Sequence, residues 1–265
     1  MSGVGWRHAA HDVAAGARRR WLWGTLGRND IRQRYSGSVL GSLWITANIA
    51  LLVLCLTFIF SGPLGAEREL YAPYVAIGLV IWYFIQAALS EAATLFVAAA
   101  EAIRHSTIPL SIQAFRLVWR NAIVLAHNAA IVPVVLIVFG IAPGFGALSS
   151  LAGLLLLILA LLPATLLLAL LGARFRDVQP IMTNLLQLLL FATPIFWFPA
   201  ALGPDRGWIA TANPIFAFID IVRAPLIGAS PQPASWPVAL GVTLVAFILA
   251  GAAFARFRHR VAYWV

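Results

Sequence analysis

The chain has 265 residues, of which 62% are hydrophobic and 10% charged, with a mean hydropathy of +0.92. An ordinary soluble domain carries about 25% charged residues, so this chain cannot cover itself with polar surface, and a soluble enzyme or binding module is excluded. The formal charge of +9 comes from basic residues that are all arginine, and the single cysteine, Cys55, lies in an apolar run where no intrachain disulfide or thiolate cluster can form.

Residues 1–38 read as a cytoplasmic N-terminal segment. Within it, residues 18–36 mix Arg18, Arg19, Arg20, Arg28, Arg32 and Arg34 with Trp21, Leu22, Trp23, Leu26 and Ile31. That composition suits a helix lying along the inner membrane interface, a plain juxtamembrane anchor being the other reading. Asp30 and Arg34 stand four apart and can pair on its surface. No short apolar region with a small-residue cleavage site precedes the first long apolar run, so no cleaved signal peptide is expected.

Residues 39–265 read as an all-α transmembrane domain with six spans, at 39–60, 72–97, 117–139, 147–172, 178–199 and 236–255. Each is near the roughly 20 residues that cross a hydrocarbon core about 30 Å thick. Ser61-Gly62-Pro63, Ala142-Pro143-Gly144 and Pro231-Gln232-Pro233 supply the breaks. With both termini in the cytoplasm, fifteen of the eighteen arginines fall inside, and only Arg68, Arg206 and Arg223 fall outside. The positive-inside rule selects that topology, and a basic rim facing anionic headgroups accounts for the charge without nucleic acid.

Between the second and third spans, residues 99–110 carry Glu101, Arg104 and His105 and then Pro109. Proline cannot continue a helix, so a short cytoplasmic helix ends by this point, either as a grip for a partner or as a mere connector. In the third span Arg120, Asn121, His127 and Asn128 share one stripe. That stripe either lines a polar path or glues helices together by hydrogen bonds. Asn184 and Gln187 repeat the pattern more weakly on the fifth span. Glu91 is the one carboxylate inside a span, and such groups more often pair than catalyse.

Residues 199–231 are too broken by Pro204, Gly207, Pro214, Pro225 and Gly228 to be a clean span, yet too apolar for an ordinary loop. Ile215, Phe216, Phe218, Ile219 and Val222 recur at helical spacing beside Asp220 and Arg223. The segment is either a re-entrant pair of short helices on the outer side or a helix lying on the outer surface.

Catalytic motifs are missing. A Walker A loop needs lysine, of which there is none, and no metal-ligand spacing, His-Glu-x-x-His pair or Gly-x-Ser-x-Gly elbow occurs.

Four motifs, in order, resemble the transmembrane subunits of ABC exporters for lipid-linked polysaccharides such as O-antigen, capsule, teichoic acid and galactan. They are Arg28-Asn29-Asp30 with Arg34 to Gly41 and Trp44; Leu117, Trp119, Arg120, Asn121, His127 and Asn128; Arg174 to Asp177 with Thr193 to Trp197; and Asn213-Pro214 with Arg223 to Gly228. Relatives often have proline after the asparagine of the first span, whereas here Ile49 follows Asn48.

The resemblance implies a homodimer in the bacterial inner membrane bound to two separate ATPase subunits, which hold ATP and Mg²⁺, with no cofactor in this chain. It implies that Asp30, Arg34, Tyr35, Glu101, Arg104, His105 and Pro109 couple to the ATPases. It also implies that Pro194, Asn213, Pro214, Asp220, Arg223 and Pro225 form an outer gate, and that undecaprenyl-linked glycan passes along the dimer axis. Glu91, Asn121, His127, Asn128, Tyr74 and Trp197 are the expected path residues, Tyr74 and Trp197 being aromatic faces on which sugars stack; an interfacial aromatic belt is the other reading of these rings. A drug or small-lipid exporter of the same fold, or a multispan glycosyl- or acyltransferase, are the alternatives.

Overall fold

The computed structural model describes residues 3–37, 41, 43–60, 68–203, 205 and 207–265, which form helices joined by short connectors, with no strand among the described residues. Val39, where the first span was expected to begin, the breaker Ser61-Gly62-Pro63, the Ser38-to-Leu40 part of the first motif, Pro204 and Arg206 lie outside the described residues. Among the described residues, four stretches are long and apolar enough to cross a membrane: Glu69–Ala92, Ser111–Val138, Phe145–Arg174 and Ser235–Trp264. Trp44–Phe60 and Val178–Ala192 are apolar but shorter.

Two helices open the chain where one was expected over 18–36. Alanine-rich α1 (Gly3–Arg18) and α2 (Arg20–Arg34) are divided at Arg19, whose backbone leaves the helical region at φ −83°, ψ 48°. In α3 (Leu43–Phe60) Ile49, Val53 and Thr57 are buried, at four-residue spacing, so one stripe packs on the next helix while Leu51, Leu54 and Phe58 face outward. That next helix, α4 (Arg68–Ala92), is buried almost all round from Tyr71 to Ile85 and is the core of the bundle.

After α4 come two short pieces, α5 (Leu95–Ala98) and α6 (Ala100–His105), and then an extended stretch from Ser106. The third long stretch is split into α7 (Ser111–Asn128) and α8 (Ile131–Val138). Pro133 has no N–H to give the Ala129 carbonyl, and Val132 donates to it instead in a tighter turn. This crossing begins at Ser111, six residues earlier than expected at 117.

The longest helix, α9 (Leu148–Arg174), packs against α13, α12, α4 and α7 and is the second scaffold. Glycine lets it approach its neighbours. A Cβ on Gly172 would lie 1.7 Å from the Ala93 carbonyl oxygen, and one on Gly153 would lie 3.0 Å from that of Ile221.

Helix α10 (Val178–Ala192) stops seven residues short of the expected 199. Pro194 is the cause, because it forces Thr193 into extended geometry, φ −92°, ψ 136°. A 3₁₀ turn at Pro199–Leu202 and α11 (Trp208–Thr211) follow. Helix α12 (Pro214–Leu226) is buried from Phe216 to Pro225 and packs on α9, α13 and α4. It is not amphipathic in use: its polar residues face other helices, not water. The chain closes with α13 (Ser235–Phe257) and α14 (Val261–Trp264).

Candidate functional site

At the arginine-rich end, α2 lies across α7 because Gly27 offers no side chain. A Cβ there would meet Trp119 at 3.0 Å and the Arg116 carbonyl at 3.3 Å. Trp23 stacks on Phe115 at 6.1 Å and meets Trp119 edge-on at 5.6 Å. This contact sets Asp30 between two arginines of α7. Arg116 Nε donates to Asp30 Oδ2 at 2.7 Å, Arg116 Nη2 donates to Oδ1, and Arg120 Nη1 approaches Oδ2 at 3.4 Å. Arg120 Nη2 donates to Glu91 Oε2, and Glu91 Oε1 accepts from Arg34 Nη2 at 2.8 Å.

Three arginines and two carboxylates thus alternate across α2, α4 and α7. The expected Asp30–Arg34 pair does not form, since Asp30 turns inward to a bidentate partner and Arg34 reaches Glu91 instead. The hydrogen bond to Glu91 is also the main reason that Arg34 sits above its ordinary pKa. Glu91, expected along a path, stands in the last turn of α4 within this network. A cavity of about 120 Å³ beside it is lined by Asp30, Leu95, Gln113, Arg116 and Arg120. Tyr35 follows α2, with its hydroxyl buried and without a hydrogen-bond partner among the described residues.

Glu101, Arg104 and His105 are exposed on α6. The helix ends at His105, and Pro109 belongs to the start of the next one, its carbonyl accepting from Ile112 N at 3.1 Å. Both ends of the chain hold this connector. Arg104 donates to the main-chain oxygen of Val265. Asp12 of α1, 3% exposed, accepts from Ser111 N at 3.1 Å and Leu110 N at 3.3 Å, while Arg258 donates to its Oδ2 at 2.7 Å. Asp12 therefore caps α7 from another helix. Neither it nor Arg116 stood out in the sequence, because their partners are 86 to 246 residues away.

The third-span stripe divides. Asn121 and Asn128 are buried, Asn121 donating to the Leu117 carbonyl at 3.1 Å and Asn128 Oδ1 accepting from Thr46 Oγ1 at 2.9 Å. His127 is exposed, its Nδ1 2.7 Å from the Ile123 carbonyl, and Arg120 belongs to the ionic network. One hundred degrees separate successive residues, so a stripe two residues wide straddles the edge of the packed face.

At the other end the non-helical strap Thr193 to Phe198 leaves several carbonyls without helical partners, and three side chains satisfy them. Tyr71 donates to the Phe196 carbonyl at 2.8 Å. The Tyr74 hydroxyl lies 3.1 Å from the carbonyl of Pro194 and 3.2 Å from that of Trp197. Arg223 Nη1 donates to Pro194 O at 2.9 Å and Nη2 to Tyr74 Oη at 2.8 Å. Tyr74, expected as a sugar-stacking face, is 6% exposed and works as part of this clamp. Trp197 is half-buried, with Nε1 donating to the Phe191 carbonyl at 3.1 Å.

Asn213 joins the strap to α12. Its Oδ1 accepts from Ile215 N at 2.9 Å and Phe216 N at 3.3 Å, and its Nδ2 donates to Thr193 Oγ1 at 2.9 Å. Pro214 takes the first helical position, where a missing N–H costs nothing. Asp220 Oδ2 accepts from Gln232 N at 2.7 Å and Ser235 Oγ at 2.6 Å, tying the end of the broken segment to α13. Pro225 is buried in the last turn. The six residues expected at an outer gate thus form one connected structure. No metal-holding group of histidine, cysteine and carboxylates occurs among the described residues.

Comparison with known proteins bears directly on this arrangement. An O-antigen export system permease protein RfbA of Klebsiella pneumoniae is 25% identical over 194 residues, covering 72% of this chain and 74% of that protein. A second Klebsiella pneumoniae protein of that name is 26% identical over 197 residues, with the same coverage. The Myxococcus xanthus protein of that name is 23% identical over 207 residues, covering 77% of this chain and 80% of its own. The profile of the ABC-2 type transporter membrane family matches residues 22–227, a range that holds both the ionic network and the strap. The chain is a member of the ABC-2 type transporter membrane family.

Proposed function

We propose that this chain is the channel-forming permease of an ATP-driven exporter that moves an undecaprenyl-linked polysaccharide across the cytoplasmic membrane of a bacterium. It works as a homodimer bound to two copies of a separate ATPase subunit, which hold ATP and Mg²⁺, while this chain holds no cofactor and catalyses no reaction. The similarity to O-antigen export permeases over about three quarters of both chains carries the reading.

In this reading α3, α4, α7 with α8, α9, α10 and α13 make six crossings with both termini in the cytoplasm. The arginine distribution supports that orientation. At about 1.5 Å per residue, α10 is about 22 Å long and falls short of a core about 30 Å thick, so the strap completes its crossing. Helices α11 and α12 enter from the outer side as a re-entrant pair, consistent with the burial of α12. Non-helical backbone at that depth is tolerated because Tyr71, Tyr74 and Arg223 satisfy it.

The exposed residues of α6, with Asp30, Arg34 and Tyr35 on and after α2, receive the push of the ATPase, and the ionic network passes it to α4 and α7. The path runs between the two copies past His127 and Trp197, with Asn184 and Gln187 exposed on α10. Asn121, Asn128, Tyr74 and Glu91 hold its wall.

The test is co-expression with a candidate ABC ATPase subunit from the same organism, and a deletion strain. The purified chain alone should hydrolyse no ATP, the pair should hydrolyse it, and deletion should abolish surface glycan while lipid-linked glycan accumulates inside. Hydrolysis by the isolated chain would reject the reading. Intact surface glycan with altered drug sensitivity would move it to a small-molecule exporter.

A further inference from the structure

Helix α1 turns one stripe inward, made of Gly5, Ala9, Asp12 and Gly16 at steps of four, three and four residues. That stripe carries little apolar area, so hydrophobic burial along it holds α1 weakly. Close approach and one carboxylate hold it instead. A Cβ on Gly5 would lie 2.9 Å from the Ala255 carbonyl oxygen in the last turns of α13, and one on Gly16 would collide with Ser111 Oγ at the start of α7. Asp12 stands between these two contacts.

The start of α7 needs that carboxylate. Its N-cap position is Leu110, whose side chain cannot accept a hydrogen bond, and the first N–H groups of a helix have no partner within it. Ile112 and Gln113 donate back to the carbonyls of Pro109 and Leu110, which leaves the N–H groups of Leu110 and Ser111 to Asp12. Ser111 Oγ adds a bond to the Asp12 main-chain oxygen at 2.9 Å. The carboxylate also accepts from Arg258, in the turn just after α13, and the Arg258 guanidinium lies 5.9 Å from the ring centroid of buried Phe254 on α13 itself. One buried carboxylate therefore ties the first turn of one membrane-length stretch to the end of another.

Residues 106–109, between α6 and α7, have no helix. A connector of that kind absorbs a displacement in its own backbone freedom unless it is pinned. We propose that Asp12 is a positioning residue for coupling: held by Arg258, it pins the connector 106–110, so that a shift of α6 moves the start of α7 and the end of α13 together. The proposal rests on the permease reading above, and neither residue lies within the range 22–227 matched by the family profile.

Two measurements test it, one on the isolated chain and one on the complex. In the detergent-purified chain, hydrogen–deuterium exchange is followed by mass spectrometry over peptides covering 106–113. Arg258→Ala touches no group of the connector, yet it should speed exchange there about fivefold, a modest effect because Arg258 is itself partly exposed, with α9 exchanging as in wild type. Arg258→Lys, which restores a cation, should bring the slow exchange back. Wild-type exchange at 106–113 in Arg258→Ala would overturn the proposal, and so would faster exchange throughout the bundle, which would make Arg258 a general stabiliser. In the complex with its ATPase, glycan exported per ATP hydrolysed should fall about fivefold in Asp12→Asn and in Arg258→Ala, at unchanged complex yield, and no further in the double variant. An unchanged ratio in both single variants, or losses that multiply in the double, would overturn it. A wild-type complex that hydrolyses ATP and exports no glycan would strike the permease reading instead, and the exchange experiment then decides the brace by itself.

Discussion

The guanidinium of Arg223 lies 3.5 Å from the centroid of the Tyr74 ring while donating to the hydroxyl of that same tyrosine. Arg223 is 1% exposed, and Asp220, one turn away, directs its carboxylate to Gln232 and Ser235. The buried charge is thus balanced by a ring face and by the Pro194 carbonyl, both attractive to cations when water is excluded. Gly78 makes the room, since a Cβ there would meet Arg223 Nη1 at 3.1 Å.

Arg223→Lys should not rescue this clamp, because a single ammonium cannot serve both the Pro194 carbonyl and the Tyr74 hydroxyl from one position. Loss of about 1–3 kcal/mol is expected for Arg223→Lys, and a comparable loss for Tyr74→Phe, which leaves a buried donor without its acceptor. Thermal unfolding of the detergent-purified variants measures it. A Lys variant that melts like wild type would show that the charge alone matters.

Asp12 makes two kinds of contact that substitution separates. Asp12→Asn keeps an acceptor for Ser111 N but loses the ionic partner of Arg258, whereas Asp12→Ala loses both. Removing a cap costs about 1 kcal/mol. Asp12→Ala should therefore lower the melting temperature further than Asp12→Asn, and proteolysis should cut the connector 106–110 faster in the alanine variant. Equal effects would make the charge pair the whole contribution.

The sequence made the apolar runs, their approximate ends and the basic end legible, because hydrophobic length and arginine position are local properties. The residues expected at a gate were legible as a group through the resemblance carried by Thr193 to Trp197, Asn213-Pro214 and Arg223 to Gly228. The partners were not legible. Asp30 reads locally as a partner of Arg34, and only the packing of Gly27 on Trp119 reveals Arg116. The burial of α12 was hidden in the same way, since Asp220 and Arg223 look like a water-facing edge until α4 and α13 supply their partners.

Gly172→Ala should be among the most damaging single changes, for its Cβ would fall 1.7 Å from a backbone oxygen that cannot turn aside. Gly241→Ala is the control, since a Cβ there meets nothing within 4 Å. Size-exclusion chromatography should show loss of monodisperse protein for Gly172→Ala and retention for Gly241→Ala. Overpacking typically costs about 1–3 kcal/mol, and a clash against backbone exceeds that.

The ionic network offers a coupling measurement. Asp30→Asn and Arg116→Gln each leave a charged group without its bidentate partner, so each should destabilise by about 2 kcal/mol. The double variant should be less harmful than their sum, because the two act on one interaction. Additivity in thermal unfolding would show that the pair contributes nothing of its own.

His127 and Asn128 are adjacent in sequence yet face opposite environments, and leucine at each should separate packing from transport. Asn128→Leu removes the acceptor of the Thr46 hydroxyl between α3 and α7, so complex yield should fall along with export. His127→Leu alters an exposed residue whose Nδ1 bonds within its own helix, so assembly should be unchanged. If His127 faces the path between two copies, replacing it puts an apolar side chain where a polyhydroxylated substrate must pass, and that desolvation raises the barrier to passage. Surface glycan should then fall at constant complex yield. Wild-type glycan levels in His127→Leu would remove this residue from the path.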